Sequence, residues 1–390
     1  MKRKGLLMTA LAGAMLLTLS SCENRSGAEL NNGTGALAFR PFVDRSVRAA
    51  DLTRDGLANI GFTVNAYGNN AKFFENVTVK PETEKPNGDG FWLTQDKTYY
   101  WPNYQLDFVA WANLGNYATT NVTNDAKEIK LTTPTPVADQ VDVIAARNQG
   151  TRAANESSGV PMTFKHLLSQ VEVWAKNSNT AYTVKVAGIK VGRINSQATF
   201  TYPDKLEAGT AIATDQYDGS TPASFGAGSA AEVTLGTDPQ TIMNSNNGNF
   251  RLIPQALTAW NQTETLADAT ADNGANYLGV LVNITNAHGA AIYPTTAGQY
   301  AFAAVPFSID AGFEAGKKYI ITLDFSEGCG FEDPAITEGK PGDLPTGVTV
   351  NHTPVSPDTN KPGRPILGGP IKFTVVVEDY TEVTIGKPMK

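Results

Sequence analysis

The sequence predicts a predominantly β protein, on three observations. Apolar side chains recur at every second position in run after run, 36 Gly and 22 Pro punctuate the chain throughout, and no long amphipathic helix is visible. Alternation marks half-buried strands, and the Gly and Pro supply the turns between them.

The first element is not a strand. Lys2, Arg3 and Lys4 precede an apolar run over 6–19, and Leu19-Ser20-Ser21-Cys22 closes it. The basic residues hold the terminus on the cytoplasmic face, and about 14 apolar residues fall short of the roughly 20 that a spanning helix needs. Residues 1–22 therefore read as a lipoprotein signal peptide: small Ser20 and Ser21 open the bond before Cys22, and the Cys22 thiol carries lipid. A multiply acylated terminus anchors firmly, so lipid alone is expected to fix the protein to an envelope membrane. Residues 23–36 are small and polar and read as a flexible tether.

What remains suits two domains. A net charge of −7, with no basic cluster after the signal, excludes an electrostatic nucleic-acid binder. The two cysteines are Cys22 and Cys329, so with the first acylated the fold cannot rest on a disulfide.

The strands follow in order. Phe39, Val43 and Val47 are interleaved with Arg40, Arg45 and Arg48 in a leading strand-like run. Alternation is then clear at Ile60, Phe62, Val64 and Ala66, and at Leu106, Phe108 and Ala110 with Trp111 on the opposite face. Residues 141–146 give one more strand, and the polar stretch 148–159 a boundary, dividing the chain into 37–158 and 159–390. In the second part Val171, Val173 and Ala175 share a face, followed by Val184 and Val186 and by Ile189 and Val191. Residues 203–249 are poor in large apolar side chains and read as a long loop with at most short strands. Strands resume at 250–255, 278–284, 300–307 and 319–325. Eight prolines then make 333–370 an extended arm. Behind it Ile371, Phe373, Val375 and Val377 line one face of a final strand, with Val383 and Ile385 continuing the parity. A terminal strand this apolar must be covered, by its own domain or by a neighbour.

No constellation points to catalysis, a metal or a cofactor. His166, His288 and His352 are more than sixty residues apart and lack ligand spacing, so His166 reads as a packing residue with its ring nitrogens satisfied. The run Asp268-Ala269-Thr270-Ala271-Asp272-Asn273-Gly274 places its glycine one position late for a calcium loop and lacks the closing Glu, which leaves a solvated turn. Cys329 has no basic neighbour in sequence and reads as a passive thiol. Trp92, Trp101, Trp111, Trp174 and Trp260 could form a sugar-stacking surface, and a monomeric surface lipoprotein binding glycans through exposed aromatics is the alternative function.

Tyr99-Tyr100-Trp101-Pro102 with the strand over 106–111, the run from Pro161 to Val173, Leu252-Ile253-Pro254-Gln255, Gly316-Lys317-Lys318-Tyr319-Ile320-Ile321-Thr322-Leu323 and the closing strand over 371–380 occur in this order across the chain. In them the chain resembles the fimbrillins, the type V pilins derived from lipoproteins. The resemblance implies an all-β fold of two transthyretin-like β-sandwich domains in tandem and a structural, non-enzymatic pilin subunit. It implies export to the outer membrane as a lipoprotein, display in a surface fimbria, and a role in adhesion. It further implies that an arginine-specific protease frees the first strand and that a neighbouring pilin subunit fills the vacated groove with its terminal strand. Arg48, followed by Ala49 and Ala50, is the first candidate for that cut and Arg45 the second. Arg152-Ala153-Ala154 is similar but lies too far into the chain. Strand addition suits Ile371, Phe373, Val375, Val377, Val383 and Ile385 as donor residues, because alternate side chains fill pockets while the main chain completes a ladder. The surface ligand is not named by the resemblance.

Overall fold

The computed structural model describes residues 35–43, 52–82, 90–243, 249–261, 275–335, 338–351 and 363–379. The first half contributes β1 (Phe39–Val43), α1 (Arg54–Ile60), β2 (Phe62–Gly68), β3 (Ala71–Pro81), β4 (Trp92–Thr94), β5 (Leu106–Ala112), β6 (Ala118–Val122), β7 (Lys127–Thr132), β8 (Ile144–Gly150), the single turn α2 (Arg152–Asn155) and β9 (Val160–His166). Seven of these strands close into a ring in the order β1-β4-β3-β2-β5-β8-β9. Local chemistry fixes the joints. Thr53 caps α1 by accepting the Gly56 N–H at 3.1 Å, and Gly61 ends it at φ 78°, where a Cβ would sit 2.6 Å from the Val79 carbonyl. Asn69 and Asn70 both take left-handed φ, the geometry that a two-residue hairpin between β2 and β3 requires.

The chain next runs through β10 (Ser169–Lys176) and β11 (Tyr182–Asn195), then returns with β12 (Gln197–Thr201) and β13 (Tyr217–Asp218) to lie beside β7. The resulting sheet, β13-β12-β7-β6, covers the flank of the ring. β5 shows why: Leu106, Phe108 and Ala110 fill the ring, while Val109 and Trp111 pack outward among Ile129, Leu131 and Phe200. Both faces of that strand are therefore dry.

The second half is a two-sheet sandwich. It adds β14 (Pro222–Thr234), β15 (Gln240–Thr241), β16 (Phe250–Leu252), β17 (Thr258–Ala259), β18 (Ala275–Asn286), β19 (Ala291–Tyr293), β20 (Ala301–Pro306), β21 (Lys317–Asp324), β22 (Phe331–Glu332) and β23 (Lys372–Asp379). One sheet runs β15-β10-β21-β23 with β16 on β10, and the other β14-β11-β18-β20-β22. Val171, Val173, Ile321 and Leu323 of the first meet Val184, Val186, Val280 and Val282 of the second in one core. All strands and both cores make the protein all-β, as its sequence predicts.

Four boundaries differ from the sequence expectation. Ile60 ends α1 and is about half exposed instead of opening β2, because the Thr53 cap and Gly61 bracket a helical turn there. The strand expected over 141–146 starts only at Ile144 and continues to Gly150. The division at 158/159 falls just before β9, which is a stave of the first ring, and residues 197–218 also rejoin the first half. The loop expected over 203–249 contains the 13-residue β14. Its glycines hide the alternation and have a packing reason: a Cβ on Gly226 would lie 2.1 Å from the Gly339 carbonyl, and one on Gly228 2.2 Å from that of Asp343. Residues 339–343 of the proline-rich arm cross the sheet there as a strap.

Candidate functional site: the groove of the leading strand

β1 alone closes the ring. It runs parallel to β9 over five residue pairs, from Phe39 opposite Val160 to Val43 opposite Phe164, and meets β4 only at Phe39 opposite Trp92. Pro41 has no N–H to extend a ladder, so β1 is held unevenly from its two sides. Upstream, Leu37 N–H donates to the Tyr99 carbonyl at 2.8 Å and Trp101 N–H to that of Gly35 at 2.7 Å.

Side chains fasten it more strongly. Leu37, Phe39, Pro41 and Val43 are buried, and Arg40 and Phe42 point outward. The Phe39 ring sits edge-on to Phe62 at 5.8 Å and to Phe108 at 5.4 Å, while Trp92 stacks on Phe62 and Phe164 lies 5.0 Å from it. Arg40 lies over the Phe91 ring at 4.6 Å, in space that Gly159 leaves open. Without β1 the groove would be a slot walled by Phe62, Trp92, Phe108 and Phe164.

The chain leaves β1 into the segment that carries Arg45 and Arg48, which lies outside the described residues, as does Cys22. It re-enters at Leu52, whose N–H donates to Asp142 Oδ2 at 2.8 Å. The same carboxylate receives His166 Nδ1 at 2.8 Å. Burial would push the Asp142 carboxyl up, but the charge and hydrogen bond of His166, with Arg251 and the Leu52 N–H, outweigh it and hold Asp142 below the usual carboxylate range. Val43 and Leu52, the described residues on either side of Arg45 and Arg48, are thus both held at the far end of β9.

The terminal strand takes a different place. β23 pairs antiparallel with β21 over eight residues and is the edge of its own sheet. Ile371 is buried in the second core, Phe373 and Val375 pack partly against it with Phe373 5.5 Å from Phe307, and Val377 is 48% exposed. Val383 and Ile385 lie outside the described residues. The structure therefore does not bring the terminal strand to the groove of β1 within one chain.

Trp92, Trp101, Trp111 and Trp260 are buried and Trp174 is partly so, which leaves no tryptophan platform for stacking a sugar. Cys329 is buried in the second core, where desolvation pushes its thiol up to about 11 despite a hydrogen bond with Tyr182. His166 is a buried packing residue, as expected, satisfied through Nδ1 by the Asp142 carboxylate at 2.8 Å; that partner lies 24 residues away, outside any local spacing. The calcium-like run over 268–274 lies outside the described residues. Among the described residues no group of three or more His, Cys, Asp or Glu could hold a metal ion.

A family model described as fimbrillin-like matches residues 48–351. The match starts after β1 and ends before β23. No curated protein matches the chain in sequence. Among solved structures, a candidate cell adhesion protein of Bacteroides uniformis is similar over 89% of this chain and 100% of its own, at 14% identity and a TM-score of 0.43. A fimbrial assembly protein of Parabacteroides distasonis is similar over 75% of this chain and 92% of its own, at 12% identity and a TM-score of 0.36.

Proposed function

The chain belongs to the fimbrillin-like family, and from that membership we propose that it is a structural subunit of a cell-surface fimbria, exported as a lipoprotein on Cys22 and polymerised by strand exchange. The observation that carries the reading is the placement of β1: a stave that closes the ring, held by side chains and one short ladder, immediately before Arg45 and Arg48.

A cut after Arg48, or after Arg45, makes β1 a separate piece together with the lipid anchor. The downstream end stays in place through Leu52 and Asp142. Loss of β1 opens the edges of β4 and β9 and empties an aromatic slot, and open edges of this kind recruit another strand. The incoming strand comes from a neighbouring pilin subunit. Because β23 is engaged with β21 along its whole length, we assign the donor role to the chain beyond it, with Val383 and Ile385 as the pocket-filling side chains. Ile371, Phe373, Val375 and Val377 then anchor that arm to its own sandwich. The lipid serves transport to the outer membrane, and the assembled fimbria serves adhesion.

Treating the purified precursor with an arginine-specific protease tests this. The expected result is a new N-terminus at Ala49 or Ser46, followed by oligomers that ladder on a gel of unheated, reduced samples. Laddering that persists in an Arg45→Ala, Arg48→Ala double variant, or in a chain lacking residues 380–390, would overturn it.

A further inference from the structure

We propose that Lys190 and Asp333 are joined by an amide bond from Lys190 Nζ to the Asp333 carboxyl carbon, an internal cross-link between β11 and the chain that follows β22. Both side chains are fully buried, and Nζ lies 2.5 Å from Asp333 Oδ2 across 143 residues of sequence. The surroundings are shaped to this contact. The Lys190 stem passes Gly279, its register partner on β18, where a Cβ would lie 2.7 Å from Lys190 Cε, and Gly339, where one would lie 3.3 Å from its Cδ. The rings of Phe302 and Tyr277 stand 4.4 and 5.3 Å from Nζ, and Trp260, Phe331 and Ala335 extend the same dry wall.

The polar groups present set out a route. Nζ faces three oxygens: Asp333 Oδ2, the Ala335 carbonyl at 2.9 Å and the Glu338 carbonyl at 3.1 Å. Burial draws the proton affinity of this amine down, against the raising influence of Asp333 and Glu338. When the proton facing Oδ2 crosses the short contact, the two remaining N–H groups stay donated to the two carbonyls, and the nitrogen lone pair faces the carboxyl. Attack forms the N–C bond. The charge then gathers on Oδ1, which already accepts the Ala335 N–H at 3.1 Å, so a backbone donor is in place for the tetrahedral oxyanion. A second proton passes from nitrogen to Oδ2, the C–Oδ2 bond breaks, and water leaves. One ammonium and one carboxylate become one amide and one water, with no oxidant or cofactor.

Two reacting groups fixed in contact in a closed site have an effective concentration far above any free in solution. Condensation also removes two buried charges, whose desolvation an ion pair must offset by geometry alone. The product would tie β11 to the strap and enclose β18, β20 and β22 in a covalent loop.

Peptide mapping of the purified full chain by mass spectrometry, after digestion under denaturing conditions, decides the matter. The expected product is a branched peptide joining the Lys190 and Asp333 segments, lighter than its two parts by one water. It should be absent from Lys190→Arg, which keeps the cation but cannot form this bond. On a denaturing gel the wild-type chain should also run ahead of Lys190→Arg, because its loop stays closed. Recovery of both segments only as linear peptides of full mass, with equal migration of the two chains, would overturn the proposal whatever the fate of the filament reading.

Discussion

Leu52 donates its backbone N–H to Asp142 over 2.8 Å and 90 residues of sequence, and Asp142 in turn holds His166 at the end of β9. The start of α1 and the strand that pairs with β1 therefore share one buried carboxylate.

Asp142→Asn is expected to destabilise the first half by about 3 kcal/mol, since it strips the charge from a buried pair. The pH dependence follows from the lowered pKa. The contribution of Asp142 is complete above the ordinary carboxylate value near 4 and is lost as pH falls below it through the folded value. Wild type should lose stability more steeply than Asp142→Asn as pH falls below about 4. Urea unfolding at a series of pH values measures both effects, and parallel curves would refute the second.

Phe39→Ala should cost about 3–5 kcal/mol, the usual range for emptying a buried phenylalanine site. Denaturant titration of the uncut chain reads the loss. After the arginine cut the same change should speed release of β1, because the strand is then held only by its side chains and its ladder. Release at an unchanged rate would mean that Phe39 is not what retains it.

Removing residues 380–390 should leave the melting temperature within a few degrees of wild type and abolish laddering. Phe373→Ala, by contrast, acts on the subunit itself and should lower stability by about 2 kcal/mol, less than a fully buried site would. A tail deletion that unfolds the protein would place those residues in the fold and not in the donor.

Cys329 should resist an alkylating reagent at pH 8 in the native protein and react once urea unfolds it. Its thiol is buried and its pKa stands near 11, so neither access nor thiolate is available. Mass spectrometry of labelled protein provides the check.

Much of the fold was legible because most strands bury one face more than the other. Phe62, Val64 and Ala66, or Tyr319, Ile321 and Leu323, write that asymmetry directly into the sequence. β14 was not legible because its small residues are selected by the strap lying on them, so steric room and not apolarity decided its composition. The division at 158/159 missed β9 for a related reason: the pairing of Phe39 with Val160 joins segments over a hundred residues apart, and no local period reports a parallel partner. At the candidate site the apolar parity of Phe39 and Val43 was visible, as was that of Phe373 and Val375. The roles of Asp142 and of the Lys190–Asp333 pair were not, because single polar residues carry no pattern until the chain folds them together.

Among the described residues, the chain passes between the two halves three times, after β9, after β11 and after β13. In the filament proposed above the chain would be loaded by tension, and tension on two modules joined by a single thread bends or swivels them at that thread. Three parallel threads leave no swivel: a pull on the first half is shared across β10, β12 and β14 at once, and neither half can be drawn out without shearing strands of the other. Such a subunit behaves as one stiff link, in which compliance is confined to the joints between neighbours.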